Sequence, residues 1–340
     1  MRLIDLESHF YTEEYLHYLR SRKDLPRLEP VQIEGQAGER LRLEPDLWAR
    51  SQPRVVQASL DLEKDRLSKM DEAGVAIQVL SLSTPGCELF EPSEGVAQAR
   101  KTNDALAQAV RRHPDRFVGF AALPAQVPEA AADELERTVK ELGFRGALIN
   151  SHVRGGEYLD DKKYWPIFKK AEALGVPIYL HPRIPSPQML APYKTYGYTL
   201  AGSTFGFAAE TSLHAMRLIM SGLFDTCPGL KIILGHLGEA LPFWLDRMDR
   251  HYGGKVAIDK KPGQYLKDNF FMTLSGMPFG PAFMCVYLAL GGDHILFASD
   301  YPYDDPREAV RFVETLPISD SDKHKICHAN MEALLGIRQS

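Results

Sequence analysis

The chain has 340 residues, of which 44% are hydrophobic, 10% aromatic and 25% charged. This composition is typical of an ordinary globular protein and excludes wholesale disorder, a collagen and a simple coiled coil. Forty basic residues against 45 acidic ones give a net charge of −5 and a pI of about 6.1, and no long basic run is present. We therefore expect no nucleic-acid partner.

The sequence also argues against a membrane or secreted protein. Its apolar stretches fall well short of the ~20 residues that cross a bilayer. The opening residues Met-Arg-Leu-Ile-Asp-Leu-Glu carry charges where a signal peptide has its apolar region. The four cysteines are far apart and form no C-x-x-C pair, which favours reduced structural thiols. We expect a cytoplasmic protein with no membrane partner.

Eight short apolar runs along the chain have the character of β-strands. In chain order they are Leu3–Leu6, Ala76–Leu82, Phe117–Ala122, Gly146–Ile149, Pro177–Leu180, Lys231–Leu234, Phe270–Leu274 and Ile295–Ala298. Several of them lack polar alternation, as strands covered on both faces do. They predict a parallel sheet whose two faces are both buried.

Helical patterns lie between these runs. They span Leu60–Ala73, Ala97–Arg112, Glu129–Leu142, Tyr164–Leu174, Thr204–Phe224, Ala240–His251, Pro281–Leu290, Pro306–Leu316 and Asp320–Leu335. Eight strands that alternate with helices predict an α/β protein with one (β/α)₈ TIM-barrel domain over residues 1–340. The alternative is a doubly wound sheet, but Glu-Ser-His-Phe follows the first strand where such folds often have a glycine-rich turn.

Two connections are longer than a barrel needs. Residues 10–59 follow the first strand and have mixed charge, several prolines and no clear period. Residues 182–203 follow the fifth strand and are rich in proline, tyrosine and glycine. Loops of this length usually carry function, so we expect both insertions to form pocket wall and subunit contacts.

Polar side chains stand at the carboxyl ends of the predicted strands, where barrel enzymes place their catalytic groups. They are Glu7, His9, Asn150, His152, His181, His236 and Asp300. Glu7 and His9 are two residues apart, so on a regular strand both point to the same face. A lone histidine at a strand end is usually a core residue, but here several groups converge. Carboxylate oxygens together with imidazole nitrogens suit Zn²⁺ or Mn²⁺.

The remaining histidines predict no further chemistry. His214 lies in the middle of a predicted helix and is interpreted as structural. We expect exposed side chains at His17, His251, His294, His324 and His328, which lie in predicted helices or loops.

Four motifs carry a resemblance to a known family. They are Glu7-Ser-His9, Leu180-His-Pro182, Gly235-His-Leu-Gly-Glu239 and Ser299-Asp-Tyr-Pro302. With them the sequence resembles the amidohydrolase superfamily, and within it the branch typified by aminocarboxymuconate-semialdehyde decarboxylase. It is most similar there to the aromatic acid decarboxylases that act on γ-resorcylate, 2,3-dihydroxybenzoate and 5-carboxyvanillate. The resemblance extends over nearly the whole chain.

The resemblance implies a metal centre. Glu7, His9, His181 and Asp300 would hold one divalent ion, Zn²⁺ or Mn²⁺, without an organic cofactor. Some relatives have alanine at the position of His9, which makes His9 the most dispensable of these ligands. No lysine follows the fourth strand to bridge a second metal, so the site is expected to be mononuclear.

The resemblance also implies how substrate is bound. His236, with Glu239, would stand beside the substrate, and Arg247 would reach the active site of a neighbouring subunit in a homodimer or homotetramer. We expect Asn150 and His152, at the end of the fourth strand, to contact substrate as well.

These features together predict a metal-dependent, non-oxidative decarboxylase, a carbon–carbon lyase. Its substrate would be a small aromatic carboxylate with a hydroxyl group ortho to the carboxylate, and Asp300 would protonate the ring carbon. The alternative is a metal-dependent hydrolase or hydratase of a small carboxylate, in which His236 or Asp300 is the general base. The fold alone does not choose between these reactions.

Overall fold

The computed structural model describes residues 2–33 and 36–337, and twelve strands lie within them. In chain order they are β1 (Ile4–Phe10), β2 (Arg27–Ile33), β3 (Gln36–Glu44), β4 (Leu47–Arg50), β5 (Ile77–Leu82), β6 (Phe117–Gly119), β7 (Ala121–Ala122), β8 (Ala147–Asn150), β9 (Ile178–His181), β10 (Ile232–Leu234), β11 (Phe270–Thr273) and β12 (Ile295–Leu296). The parallel strands pair in the order β1-β5-β6 and β7-β8-β9-β10-β11-β12.

Backbone hydrogen bonds join these two sets into a closed barrel. Phe120 lies between β6 and β7, and its N–H donates to the carbonyl of Leu80 at 2.9 Å, so β6 and β7 act as one strand. The N–H of Leu6 on β1 donates to the carbonyl of Phe297 after β12 at 3.1 Å. Eight parallel strand positions therefore surround one axis, which confirms the predicted (β/α)₈ barrel.

Helices connect the strands. Those in the described residues are α1 (Glu13–Ser21), α2 (Pro53–Leu60), α3 (Lys64–Ala73), α4 (Pro92–Arg112), α5 (Pro128–Lys140), α6 (Trp165–Leu174), α7 (Gly197–Ala201), α8 (Gly206–Met220), α9 (Leu223–Thr226), α10 (His236–Glu239), α11 (Leu241–His251), α12 (Pro262–Asn269), α13 (Gly280–Leu290), α14 (Pro306–Thr315), α15 (Asp320–His324) and α16 (Asn330–Leu335). A π-helical turn, Lys325–Ala329, joins α15 to α16. No helix among them has the length and apolar character that crossing a membrane requires.

The first insertion has more regular structure than the sequence predicts. It contains α1, the antiparallel sheet β2-β3-β4, and α2. Glu29 on β2 accepts hydrogen bonds from Arg40 at 2.6 Å and Arg42 at 3.2 Å on β3, so ion pairs between neighbouring strands support this sheet. Charged residues alternate with Leu41 and Leu43 along β3, which is the local signal that predicts a strand.

The two insertions pack against each other beyond the carboxyl ends of the strands that they follow. Leu47 of the first insertion forms a buried apolar cluster with Ile184, Leu190 and Ala201 of the second. The opposite, amino-terminal part of the barrel interior is filled by apolar side chains such as Ile4 and Ile233. The barrel is therefore a packed core at one end, and its polar groups lie at the end that the insertions cover.

β1 extends four residues beyond the predicted end at Leu6, so Glu7 and His9 lie within the strand. Its pairing with β5 shifts register between Asp5 and Ser8, as a β-bulge does. The buried Asp5 carboxylate accepts hydrogen bonds from the backbone N–H of Ser299 at 2.9 Å and its hydroxyl at 2.5 Å. Asp5 thus fixes the chain after β12 against β1, next to the polar end of the barrel.

Candidate metal centre and active site

Three side chains from two barrel strands converge at the carboxyl end of the barrel. Nε2 of His181, the last residue of β9, lies 3.3 Å from Oε1 of Glu7, and Nε2 of His9 lies 3.7 Å from the same oxygen. The potential ligand atoms of all three residues lie within 4.8 Å of one another, and all three side chains are buried. One cation can therefore contact all three.

Two atoms of this cluster make no hydrogen bond within the described part of the chain, although other groups of the cluster lie close to them. Glu7 Oε1 and His9 Nε2 are buried and make no hydrogen bond, whereas buried polar atoms in proteins are almost always paired. The other oxygen of Glu7 accepts hydrogen bonds from the hydroxyls of Tyr179 and Thr273. The unpaired atoms face each other across the cluster, which fits a divalent metal ion held by oxygen and nitrogen ligands.

Neighbouring polar groups direct both imidazoles. Nδ1 of His181 is 2.9 Å from Oδ1 of Asn150, and Nδ1 of His9 is 3.4 Å from the Ser81 hydroxyl. Each ring therefore uses Nδ1 for a protein contact and presents Nε2 to Glu7. Metal-binding histidines are commonly oriented in this way.

The charges of the cluster depend on one another. Burial alone would raise the pKa of Glu7, but the nearby imidazoles of His181 and His9 hold that pKa well below its usual value. Burial would likewise lower the pKa of His9, but Asp300 and Glu7 raise it to about 9. A metal ion that binds His9 must therefore displace a proton.

Asp300 lies at the open side of the cluster. Its Oδ1 is 3.3 Å from His9 Nε2, and its side chain is 18% exposed where that of His9 is fully buried. The backbone of Asp300 has φ +63°, a left-handed conformation that aspartate tolerates better than most residues. Coordination of the metal by Asp300 stays a prediction.

His236 and Glu239 form a pair beside the cluster. The chain has positive φ at five successive residues from His236 to Ala240, so it makes a left-handed turn between β10 and α11. This turn brings His236 Nδ1 to 2.8 Å from Glu239 Oε1. Burial would lower the pKa of His236, but the charge of Glu239, with Glu7 and Asp300, raises it to about 10. A left-handed φ at non-glycine residues is costly and is often found at functional sites.

Asn150 and His152 are buried, and their hydrogen bonds are with protein groups. Asn150 contacts His181 and Glu88. His152 has Nε2 3.3 Å from the carbonyl of Ile184 and Nδ1 3.2 Å from its neighbour's carbonyl. Burial, followed by the nearby Arg183, lowers the pKa of His152 to about 3. Contact of either side chain with substrate stays a prediction.

Arg247 lies on α11 and is exposed. It makes no ion pair with the described residues of its own chain. Phe243 and Trp244 on the same helix are 68% and 46% exposed. The side chain of Arg247 is thus free to act on something outside this chain.

Several residues that support the site were missed by the sequence analysis. The Tyr179 hydroxyl donates to Glu7, Glu88 accepts from the Asn150 amide, and the Tyr303 ring lies edge-on to the His9 ring with centroids 5.7 Å apart. Tyr179 precedes His181 by two residues and so shares its strand face, which is a usable local signal. Glu88 lies in a loop, and its sequence neighbourhood gives no such local signal.

The fold and the site together define a class of protein. A closed parallel barrel with a buried carboxylate–imidazole cluster at the carboxyl ends of its strands is a metal-dependent barrel enzyme. Residues 61–337 match the family described as Amidohydrolase. The chain belongs to this amidohydrolase family, as the sequence predicts.

Similar proteins lie in the decarboxylase branch. The γ-resorcylate decarboxylase of Polaromonas sp. is 40% identical over 298 residues, which cover 84% of this chain and 91% of that protein. The crystal structure of 5-carboxyvanillate decarboxylase from Sphingomonas paucimobilis has a TM-score of 0.88 at 34% identity and covers 99% of both chains. A dihydroxybenzoic acid decarboxylase from Polaromonas sp., solved with manganese and the inhibitor 2-nitroresorcinol, has a TM-score of 0.86 at 36% identity, covering 99% of this chain and 98% of its own.

Proposed function

We propose that this protein is a carboxy-lyase that decarboxylates a hydroxylated benzoate without redox chemistry and requires one divalent metal ion. The observation that carries the proposal is the buried Glu7–His9–His181 cluster with its two unpaired ligand atoms. Similarity to decarboxylases along most of the chain supports the choice of reaction. We expect a hydroxyl group ortho to the carboxylate, because these two substrate oxygens can bind one ion together.

The bound ion would supply a Lewis acid that holds and polarises the substrate oxygens. Glu7, His9 and His181 would bind it, and Asp300 would complete the set. The buried ligands exclude bulk water from one side of the site, whereas Asp300 and His236 keep 18% and 22% of their side-chain surface exposed. Substrate is therefore expected to enter between these two groups.

Asp300 is the proposed proton donor. As a metal ligand Asp300 would be ionised, so it would first take up a proton from solvent when substrate displaces bound water. It would then transfer this proton to the ring carbon that bears the carboxylate. The bond between this carbon and the carboxylate then breaks, its electron pair restores the aromatic ring, and CO₂ leaves. The reaction consumes one proton and no electrons, and Asp300 is left as the carboxylate.

His236 is proposed to hold the negatively charged substrate in place. Because the pKa of His236 is raised to about 10, the imidazole carries a positive charge at neutral pH. Its Nδ1–H donates to Glu239, so Nε2–H remains for a substrate oxygen. Glu239 is buried and fixes the ring orientation.

We further propose a cytoplasmic homodimer or homotetramer in which Arg247 binds substrate in the neighbouring subunit. The exposed Phe243 and Trp244 on the same helix support a protein interface there, since aromatic side chains are enriched in interface cores. The free thiols of the four cysteines are consistent with a reducing compartment.

A product assay tests the reaction. Purified protein with Mn²⁺ is incubated with 2,6-dihydroxybenzoate and, as a control, with 3-hydroxybenzoate, which has no ortho hydroxyl. We expect CO₂ and the matching phenol in equal amounts from the first compound only. Asp300→Asn is expected to lower kcat by about 10²- to 10⁴-fold. A hydrated or hydrolysed product without CO₂, from this or another small carboxylate, would point to the alternative reaction and refute the proposal.

Mixed oligomers test the role of Arg247. Arg247→Ala and Asp300→Asn each remove activity from their own homo-oligomers if both roles are correct. After co-expression, a mixed oligomer contains a site with its own Asp300 and the neighbour's intact Arg247, so activity should return. No recovery in mixed oligomers would show that Arg247 does not act across the interface.

A further inference from the structure

A hydrogen-bonded chain runs from the metal cluster into the protein interior. Asn150 is the last residue of β8, and the strand register places it beside His181 on β9. Its Oδ1 lies 2.9 Å from Nδ1 of His181, and its Nδ2 donates to the Glu88 carboxylate at 3.2 and 3.5 Å. Glu88 also accepts the backbone N–H of Asn150 at 2.8 Å. Glu88 and Asn150 are each 1% exposed.

The chemistry of these groups fixes which of them donates and which accepts in each hydrogen bond. An ionised carboxylate can only accept hydrogen bonds, so the Asn150 amide must turn its NH₂ group toward Glu88. The amide oxygen is then left for His181, and since it too can only accept, Nδ1 of His181 must carry the proton. A neutral imidazole with a proton on Nδ1 has a lone pair on Nε2, the atom that lies 3.3 Å from Glu7 in the metal cluster.

The local packing leaves little freedom for another arrangement. Gly86 has φ +70°, and a Cβ atom there would lie 2.1 Å from Oε2 of Glu88 and 2.4 Å from Nδ2 of Asn150. The backbone thus closes against both side chains, and only glycine fits. Burial raises the pKa of the Glu88 carboxyl, whereas the buried Arg183 guanidinium and the hydrogen bonds from Asn150 act in the opposite direction and favour the ionised form. Arg183 itself donates to the carbonyls of His152 and Pro85.

We propose that Glu88 is a positioning residue that acts through Asn150 to fix the tautomer of His181, so that Nε2 is free to bind metal. The proposal rests on the metal centre of the proposed function, but its readout is metal binding and does not need the decarboxylation reaction. This role of Asn150 behind the metal ligand is separate from its predicted contact with substrate, which stays a prediction.

Glu88→Gln is the direct test. The glutamine oxygen can take the place of Oε1 and still accept the backbone N–H of Asn150. The glutamine NH₂ group then replaces Oε2, which lies 3.5 Å from Nδ2 of Asn150, so two donors would meet there. The Asn150 amide is expected to flip and present NH₂ to Nδ1 of His181, which moves the imidazole proton to Nε2. We expect the Mn²⁺ dissociation constant, measured by titration calorimetry on metal-free protein, to rise about 10- to 100-fold.

Glu134→Gln is a matched control. Glu134 is also buried and accepts from an asparagine, Asn103, at 2.8 Å, but the Oδ1 of Asn103 accepts the backbone N–H of Ala122. This substitution removes a buried carboxylate from a Glu–Asn pair without reaching a metal ligand. We expect its Mn²⁺ affinity to equal that of the wild type, and thermal unfolding of the metal-free proteins reports any loss of fold.

The double variant Glu88→Gln/Asn150→Asp restores an acceptor for Nδ1–H of His181, as in the wild-type series of hydrogen bonds. The aspartate introduced at position 150 would accept both from the NH₂ group of the new glutamine at position 88 and from Nδ1–H of His181. We therefore expect metal affinity to return close to the wild-type value. Mn²⁺ binding by folded Glu88→Gln at wild-type affinity would overturn the proposal. So would a double variant that does not recover binding, including the case in which Glu88→Gln alone fails to fold.

If the wild-type protein binds Mn²⁺ but releases no CO₂ from hydroxybenzoates, the proposed reaction is refuted and the positioning role of Glu88 is unaffected. Unchanged Mn²⁺ binding in Glu88→Gln would refute the positioning role and leave the reaction standing. The two outcomes are therefore separate.

Discussion

His214 should make the protein sensitive to mild acid. Its imidazole is fully buried in α8, where Nε2 accepts the backbone N–H of Leu159 at 3.0 Å and Nδ1 lies 3.2 Å from the Ser151 hydroxyl. An accepting Nε2 requires the neutral ring. Burial, followed by the nearby His152 and Arg217, lowers the pKa of His214 to about 3.

The sign and size of the effect follow from linkage. The pKa of His214 is lower in the folded than in the unfolded state, so the unfolded state gains the proton first as the pH falls. Stability is therefore lost from about pH 6.5, the unfolded value, down to about pH 3. Between pH 7.5 and pH 5.0 the loss from this residue is about 2 kcal/mol of unfolding free energy.

His214→Gln removes the titrating group while keeping an acceptor for Leu159 and a donor for Ser151. Urea unfolding of metal-free protein at pH 7.5 and 5.0 should show that the variant loses about 2 kcal/mol less than the wild type over this range. His17→Gln, at an exposed position on α1, is the control and should leave the pH dependence unchanged. If His214→Gln shows the wild-type pH dependence, the assignment of a buried neutral imidazole is wrong.

Three further predictions concern the core and the metal centre. Arg66 is fully buried and donates to the backbone carbonyls of His9, Ala58 and Asp61. Because Arg66→Met leaves these acceptors without their charged donor, it should lower the unfolding free energy, measured by urea unfolding, by about 3–5 kcal/mol. Removal of metal with EDTA should abolish CO₂ release, and Mn²⁺ at about 100 times its dissociation constant should restore it and add about 2.7 kcal/mol to the unfolding free energy. Tyr179→Phe removes a hydrogen bond to Glu7 and should weaken Mn²⁺ binding about tenfold, measured by calorimetry, with little change in the melting temperature of the metal-free protein.

Each of these predictions has a clear contradicting result. Wild-type stability of Arg66→Met would show that water or other donors replace the guanidinium. Full activity after exhaustive chelation, with metal content checked by mass spectrometry, would remove the metal from the reaction. Unchanged Mn²⁺ affinity in Tyr179→Phe would mean that Glu7 is held without the tyrosine hydroxyl.

Local pattern was sufficient to predict the barrel and the residues at its polar end. Alternating apolar runs and helical patterns located all eight barrel strands, because the periodicity of side chains reports which faces are buried. The convergence of Glu7, His9 and His181 followed from the strand-end rule for barrels and is present in the structure.

Other features were outside the reach of local pattern. His328 was expected to be exposed, but it is 6% exposed, since the π-helical turn Lys325–Ala329 packs it inward with Ile326 and Cys327. The sheet of the first insertion was missed for a different reason: the alternation of charged residues with Leu41 and Leu43 along β3 was a usable local signal, but these strands lack the continuous apolar runs of the barrel strands.

The sequence by itself thus determined the fold class, the active end of the barrel and the types of ligand atom that meet there. Only the tertiary structure decided which partner each metal ligand has: Asn150 and Glu88 behind His181, and Tyr179 against Glu7. The physical reason is that the order of apolar and polar residues along a segment indicates which of its faces is buried. Hydrogen-bond partners depend instead on strand register and on how separate loops pack together.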